Sequence, residues 1–160
     1  MRIETDRTVI RDFRADDLQD LHEILSDDET MEYIEPPYSV EKTRGFLNDF
    51  CIGQSGAFAA ELKSTGKVIG YLLFKPCGAP DVYEIGWIFN RKFWRLGLAY
   101  EACDALIKYA FSYMGVRRIF AETVDAVRSV GLMKKLGMNP ETSDTESAGM
   151  HVYSITKGEL

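Results

Sequence analysis

The sequence predicts an α+β fold, a mixed sheet with helices on its faces. Three observations carry this. A hairpin-like run of strand patterns fills residues 58–89, and a strand–helix–strand crossover follows over residues 83–124. The third is composition: 160 residues, 46% hydrophobic and 28% charged, suit one compact domain over 1–160 with a sizeable core.

Val9 to Phe13 reads as the first strand. Asp16 is then placed to cap a helix whose apolar face is Leu18, Leu21 and Leu25. Residues 32–38, with Tyr33, Glu35, Pro36, Pro37 and Tyr38, form a loop of aromatics and acids, because consecutive prolines stop a helix. Ser39 caps a second helix with Val40, Thr43, Leu47 and Phe50 inward. Phe58 to Lys63 and Val68 to Lys75 pair across a turn at Gly66, and Tyr83 to Phe89 follows the break at Pro76 to Pro80. A long helix runs from Leu98 to Met114 with Ala102, Ala105, Tyr109, Ala110 and Tyr113 at helical spacing, and Gly115 ends it. Arg118 to Val124 is a strand, Val127 to Leu136 a helix stopped by Gly137, and His151 to Lys157 the last strand.

Several function classes are disfavoured. The net charge of −6 argues against nucleic acid, which demands clustered Lys and Arg, and suits a cationic amine. No apolar stretch approaches the roughly 20 residues of a bilayer crossing. The first residues, Met1 to Arg7, lack the apolar centre of a signal peptide, so no membrane and a cytoplasmic location are expected. Cys51, Cys77 and Cys103 have no metal-like spacing and read as reduced, mostly buried thiols; His22 and His151 have no partner motif, and no metal is expected. Monomer and homodimer are equally open.

The most informative segment joins a strand to the long helix: Trp94-Arg95-Leu96-Gly97-Leu98-Ala99. The first N–H groups of a helix have no internal partners, and its dipole makes that end partly positive. Gly97 lets the backbone approach an anion, and Ala99 is too small to obstruct it. A glycine that only relieves strain at a helix start explains the loop equally well. Neither a three-glycine dinucleotide fingerprint nor a Gly-Lys-Ser/Thr phosphate loop is present.

On these residues the chain resembles the GNAT superfamily of N-acetyltransferases. Phe93 to Ala102 keeps Trp94, Gly97, Ala99, Glu101 and Ala102 of the helix start typical of the branch that contains the ribosomal-protein alanine acetyltransferases. Glu84-Ile85-Gly86-Trp87 resembles that branch's preceding strand. Ser129 to Met138 resembles its second signature, and Arg11 to Asp17 its opening. The resemblance implies a mostly antiparallel sheet of six to seven strands, about four helices on both faces, and a splay between strands four and five. It further implies acetyl-CoA as cosubstrate, with Trp87, Ile88, Phe89, Arg95, Leu96, Gly97, Leu98, Ala99, Tyr100 and Ser129 around it. Tyr33, Glu35 and Tyr38 would sit in the loop roofing an acceptor cleft, where an acid beside aromatics suits an ammonium. Two positions depart from the pattern: Ala126 replaces the usual Asn, with Asp125 adjacent, and Met133 stands where relatives carry a proton-donating Tyr.

The implied reaction is direct attack of an amine on the thioester in a ternary complex, so no cysteine is a nucleophile. A protein α-amine, with a pKa of about 7.7–8.0, is partly neutral at pH 7, whereas lysine at about 10.4 is almost wholly protonated. Glu84 is the candidate base, acting through water, against the alternative of a carboxylate that only orders its surroundings. Alternation sets Glu84 and Gly86 on one face of their strand and Ile85 and Trp87 on the other. Ser129 is a candidate donor to the departing sulfur or, equally, a helix N-cap. Tyr100 and Tyr153 are alternative acids or core residues, and Lys134 and Lys135 either meet the cofactor's outer phosphate or form a solvated face. A non-catalytic CoA- or acyl-CoA-binding module is the alternative to an enzyme.

Overall fold

The structure, a computed structural model, describes residues 1–141 and 149–160. One eight-stranded sheet in the order β1-β2-β3-β4-β5-β6-β8-β7 organises the chain. The strands are β1 (Arg2–Glu4), β2 (Thr8–Asp12), β3 (Ala57–Leu62), β4 (Val68–Cys77), β5 (Ala79–Phe89), β6 (Arg118–Thr123), β7 (Asn139–Pro140) and β8 (His151–Thr156). Every neighbouring pair is antiparallel except β5–β6. The helices are α1 (Leu18–Leu25), α2 (Val40–Phe46), α3 (Leu98–Tyr113) and α4 (Arg128–Lys135). The expected mixed, mostly antiparallel sheet with four helices is therefore present. The two strands not read from sequence, β1 and β7, are three and two residues long, too short to show a period.

Two apolar clusters flank the sheet. One packs α3 and α4 against β4, β5 and β6 through Leu98, Leu106, Phe74, Ile85, Phe89 and Ile119. The other packs α1 and the α2 region on the opposite face through Leu21, Ile24, Leu25, Leu47 and Tyr71. Ser39 caps α2 as expected, its Oγ accepting Lys42 N at 3.1 Å. After α2 the chain continues over Leu47–Ile52 as one wider π-helical turn.

The α3 face needs correction. The helical spacing put Ala105, Tyr109 and Tyr113 on one apolar face, whereas Tyr113 is 77% exposed, its ring tilted against Tyr109 at 5.2 Å between centroids, and of the three only Ala105 packs on the core. The buried rows are Leu98, Ala102, Leu106 and Ala110 beside Cys103, Ile107 and Phe111. Apolar residues at almost every position leave the face undetermined, and the rows holding the larger aliphatic volume bury. Among the described residues, no helix is long and apolar enough to cross a membrane.

Near α1, Arg11 and Asp17 form a buried bidentate pair at 2.9 and 3.0 Å, with Glu61 Oε2 2.6 Å from Arg11 Nε. This pins the N-terminal end of α1 to β2 and β3 and gives the opening motif a structural reason.

Candidate active site

β5 and β6 pair only from Val82↔Arg118 to Glu84↔Phe120. Beyond that point residues 85–89 stay on β4 while β6 turns away, so strands four and five of the sequence reading splay as expected. A cavity of about 790 Å³ fills the gap and runs from the start of α3 to the loop before α2. Asn90 N donates to Ile69 O on the β4 side at 2.8 Å, while Phe89 O accepts Trp94 Nε1 at 2.8 Å on the gap side. By strand alternation the Trp87 and Phe89 peptide groups face the gap and that of Ile88 faces β4. Side chains alternate too: Ile85, Trp87 and Phe89 join the α3–α4 cluster, whereas Ile88 packs towards α1 and α2. Glu84 and Gly86 share the Ile88 face.

The helix start carries two left-handed residues, Arg95 at φ 65° and Gly97 at φ 77°. Such a conformation is rare for a side chain like that of Arg95 and turns successive N–H groups towards one concavity. The first bond of α3 is Glu101 N to Gly97 O at 3.0 Å, leaving the Leu98, Ala99 and Tyr100 amides outside the helical ladder. Arg95, Gly97, Leu98, Ala99 and Tyr100 all border the cavity. The Leu98 side chain is buried in the core, so only its backbone is available. Leu96 stands apart: its carbonyl accepts Arg7 Nη1 at 2.9 Å. The donor set fits a pyrophosphate, an anion that takes several N–H bonds.

Across the gap, Asp125 Oδ1 accepts Val127 N and Arg128 N at 3.1 and 3.0 Å, so Asp125 caps α4. Ser129 lies inside the first turn and is not the N-cap; it faces the cavity. Met133 is buried at the cavity floor, where a thioether offers no proton. Tyr153 belongs to the core and does not border the cavity, while Tyr100 is 40% exposed at the cavity edge. Lys134 and Lys135 are both exposed, and only Lys135 borders the cavity. Arg128 stacks over Trp94 at 4.4 Å and holds Asp125 at 3.2 Å, with Glu32 of the loop before α2 3.9 Å away.

On the α1–α2 side, Tyr33, Glu35 and Tyr38 all border the cavity. Tyr38 donates its hydroxyl to Glu35 Oε2 at 2.7 Å, and burial, seconded by that bond, pushes the phenol up to about 12. Lys42 Nζ lies 3.5 Å from Glu35 and 4.3 Å from the centre of the Tyr38 ring. The arrangement expected to greet a substrate ammonium is therefore filled by the chain's own lysine. Among the described residues Glu84 takes no hydrogen bond or ion pair, and Lys75 is its cross-strand neighbour. Burial and the charge of Glu122 raise its pKa above the usual carboxylate value, with Lys75 pulling the other way. Both Glu84 and Glu122 border the cavity.

Sequence reasoning missed Glu122, Tyr71, Arg128 and Arg7. Alternation within β6 sets Glu122 on the face opposite Ile119 and Ala121, but its nearness to Glu84 depends on a parallel register that no local pattern encodes.

The family model described as an acetyltransferase (GNAT) domain matches residues 7–139. The uncharacterized N-acetyltransferase YnaD of Bacillus subtilis (strain 168) is 34% identical over 143 residues, covering 88% of this chain and 84% of YnaD. A GNAT-family acetyltransferase structure from Bacillus anthracis superposes with a TM-score of 0.89 at 31% identity, over 99% of this chain and 100% of that one. An aminoglycoside acetyltransferase in complex with coenzyme A shares the fold at TM-score 0.77 and 17% identity, over 95% of this chain and 96% of that one. With its splayed sheet and the helix start it carries at Gly97, the chain belongs to the GNAT family and is an acetyl-CoA-dependent acetyltransferase.

Proposed function

We propose that the chain acetylates a primary amine, a protein N-terminus or a small molecule, by direct attack in a ternary complex. The observation that carries this is one continuous cavity with the α3 amides that lie outside the helical ladder at one end and Glu84, which takes no hydrogen bond or ion pair among the described residues, at the other. Acetyl-CoA supplies the activated acetyl thioester. The Leu98, Ala99 and Tyr100 amides hold its pyrophosphate, and the gap-facing peptide groups of Trp87 and Phe89 align the thioester arm, with Ile88 held on β4 between them. Glu84, its pKa raised towards the range useful for a base, withdraws the amine's proton through one bridging water. The Ser129 hydroxyl hydrogen-bonds the departing sulfur; the proton itself comes from solvent or the attacking amine, because Met133 has none to give.

Thiol release from acetyl-CoA is followed with a panel of primary amines and peptides bearing a free N-terminus. Release that depends on the amine, with the acetylated product seen by mass spectrometry, is expected. Coenzyme A binding with no release on any amine would overturn the proposal.

A further inference from the structure

Tyr71 of β4 is 6% exposed, yet its hydroxyl takes no part in a hydrogen bond among the described residues. No fully sealed polar side-chain atom lacks a partner among them, so this oxygen opens into the cavity that Tyr71 lines. The ring packs against Phe13 at 6.1 Å and Phe46 at 5.5 Å between centroids. Burial, with the nearby Cys51, Tyr38 and Glu84, pushes its pKa up, so the phenol is neutral at any working pH.

The register shows what this oxygen overlooks. Across β4 and β5, Tyr71 sits beside Ile88, Leu73 beside Gly86 and Lys75 beside Glu84, all on one face. Gly86 places no side chain between Ile88 and Glu84, and a Cβ there would come within 3.3 Å of Leu73 Cβ. A stretch of floor made by Leu73 and Gly86 thus separates Glu84 at one end from Tyr71 at the other, and all four border the cavity.

We propose that Tyr71 Oη accepts one N–H of the acceptor amine above Gly86, while the second N–H points to the water held by Glu84. This rests on the reading of the site as an amine acetyltransferase. A neutral primary amine has two N–H groups and one lone pair. Holding both N–H groups directs the lone pair at the gap edge by Trp87. Tyr71 is then an acceptor-positioning residue that favours primary over secondary amines, since a secondary amine can satisfy only one of the two acceptors.

The test is Tyr71→Phe, which keeps the ring packing. The probes are phenethylamine, butylamine and an alanine-initiated peptide amide, each with its N-methyl analogue. For the best primary amine the variant is expected to raise KM roughly three- to tenfold, the range of one hydrogen bond. Coenzyme A affinity and melting temperature stay unchanged. For the N-methyl analogue, which already lacks the bonded N–H, wild type and variant are expected to coincide. An unchanged KM for the primary amine, or an equal rise for both members of a pair, overturns the inference while leaving acetyl transfer intact. No thiol release by the wild-type chain with any of these amines overturns the underlying reading and this inference with it.

Discussion

Arg7 and Glu101 are 94 residues apart in sequence, yet Arg7 Nε lies 2.8 Å from Glu101 Oε1 and Arg7 N donates to Glu101 Oε2 at 2.8 Å. Thr5 Oγ1 adds a third bond at 2.5 Å, and Arg7 Nη1 takes the Leu96 carbonyl. The hairpin between β1 and β2 thus props the helix start from behind. Burial tends to raise the Glu101 pKa, but the bonds from Thr5 and Arg7 outweigh it and the net shift is downward. Arg7→Ala, though outside the cavity lining, is expected to weaken coenzyme A binding several-fold by loosening the loop. Calorimetric titration checks this, and an unchanged Kd would show that the loop holds its shape unaided.

Gly97 is left-handed, so any L-residue there is strained whatever the space. Gly97→Ala should cost about 1–2 kcal/mol of stability and reduce coenzyme A affinity with it. Urea unfolding and calorimetry on the same protein measure the two effects.

Glu84 has a raised folded-state pKa, so its charge opposes folding. Below the ordinary value of 4.5 it is protonated in both states and costs nothing. As pH rises through the folded value, that stability is lost. Glu84→Gln is therefore expected to match the wild type in melting temperature at pH 4 and to exceed it at pH 8. Its turnover should fall by about 10²–10⁴ at neutral pH and recover at high pH, where the amine is already neutral. A melting temperature lower than wild type at pH 8 would contradict the electrostatic assignment.

Removing Asp17 leaves Arg11 buried with only Glu61 for company. Asp17→Ala should destabilise by about 3 kcal/mol, read as a lowered urea midpoint. The triple replacement Arg11→Met, Asp17→Leu and Glu61→Gln should recover most of that loss, since none of the three charges of the cluster then remains.

Gly70 leaves room for the ring of Phe89, whose atoms would stand 2.6 Å from an added Cβ. Gly70→Ala is expected to cost about 1–3 kcal/mol and to disturb the Trp94 latch on the Phe89 carbonyl. Trp fluorescence during unfolding reports both changes.

Much of the fold was legible because its signals are local. Ser39 caps α2, Gly115 ends α3, and alternation correctly divided Glu84 and Gly86 from Ile85 and Trp87. The α3 face was misread because apolar residues filled both rows. Ser129 looked like a cap because serine favours that role, but α4 begins earlier, and Asp125 takes its first free amides, those of Val127 and Arg128.

By itself the sequence determined the order of elements, the glycine at which the chain turns into α3, and the absence of a side-chain acid at Met133. These follow from backbone sterics and side-chain chemistry, which travel with each residue. Only the tertiary structure decided that Arg7 backs the loop, that Lys42 occupies the Glu35–Tyr38 corner and that Glu122 crowds Glu84. It also decided that Tyr71 and Glu84 face each other across Gly86. Those relationships depend on strand register and on contacts between distant segments, and no local pattern records which neighbour the folded chain will bring alongside.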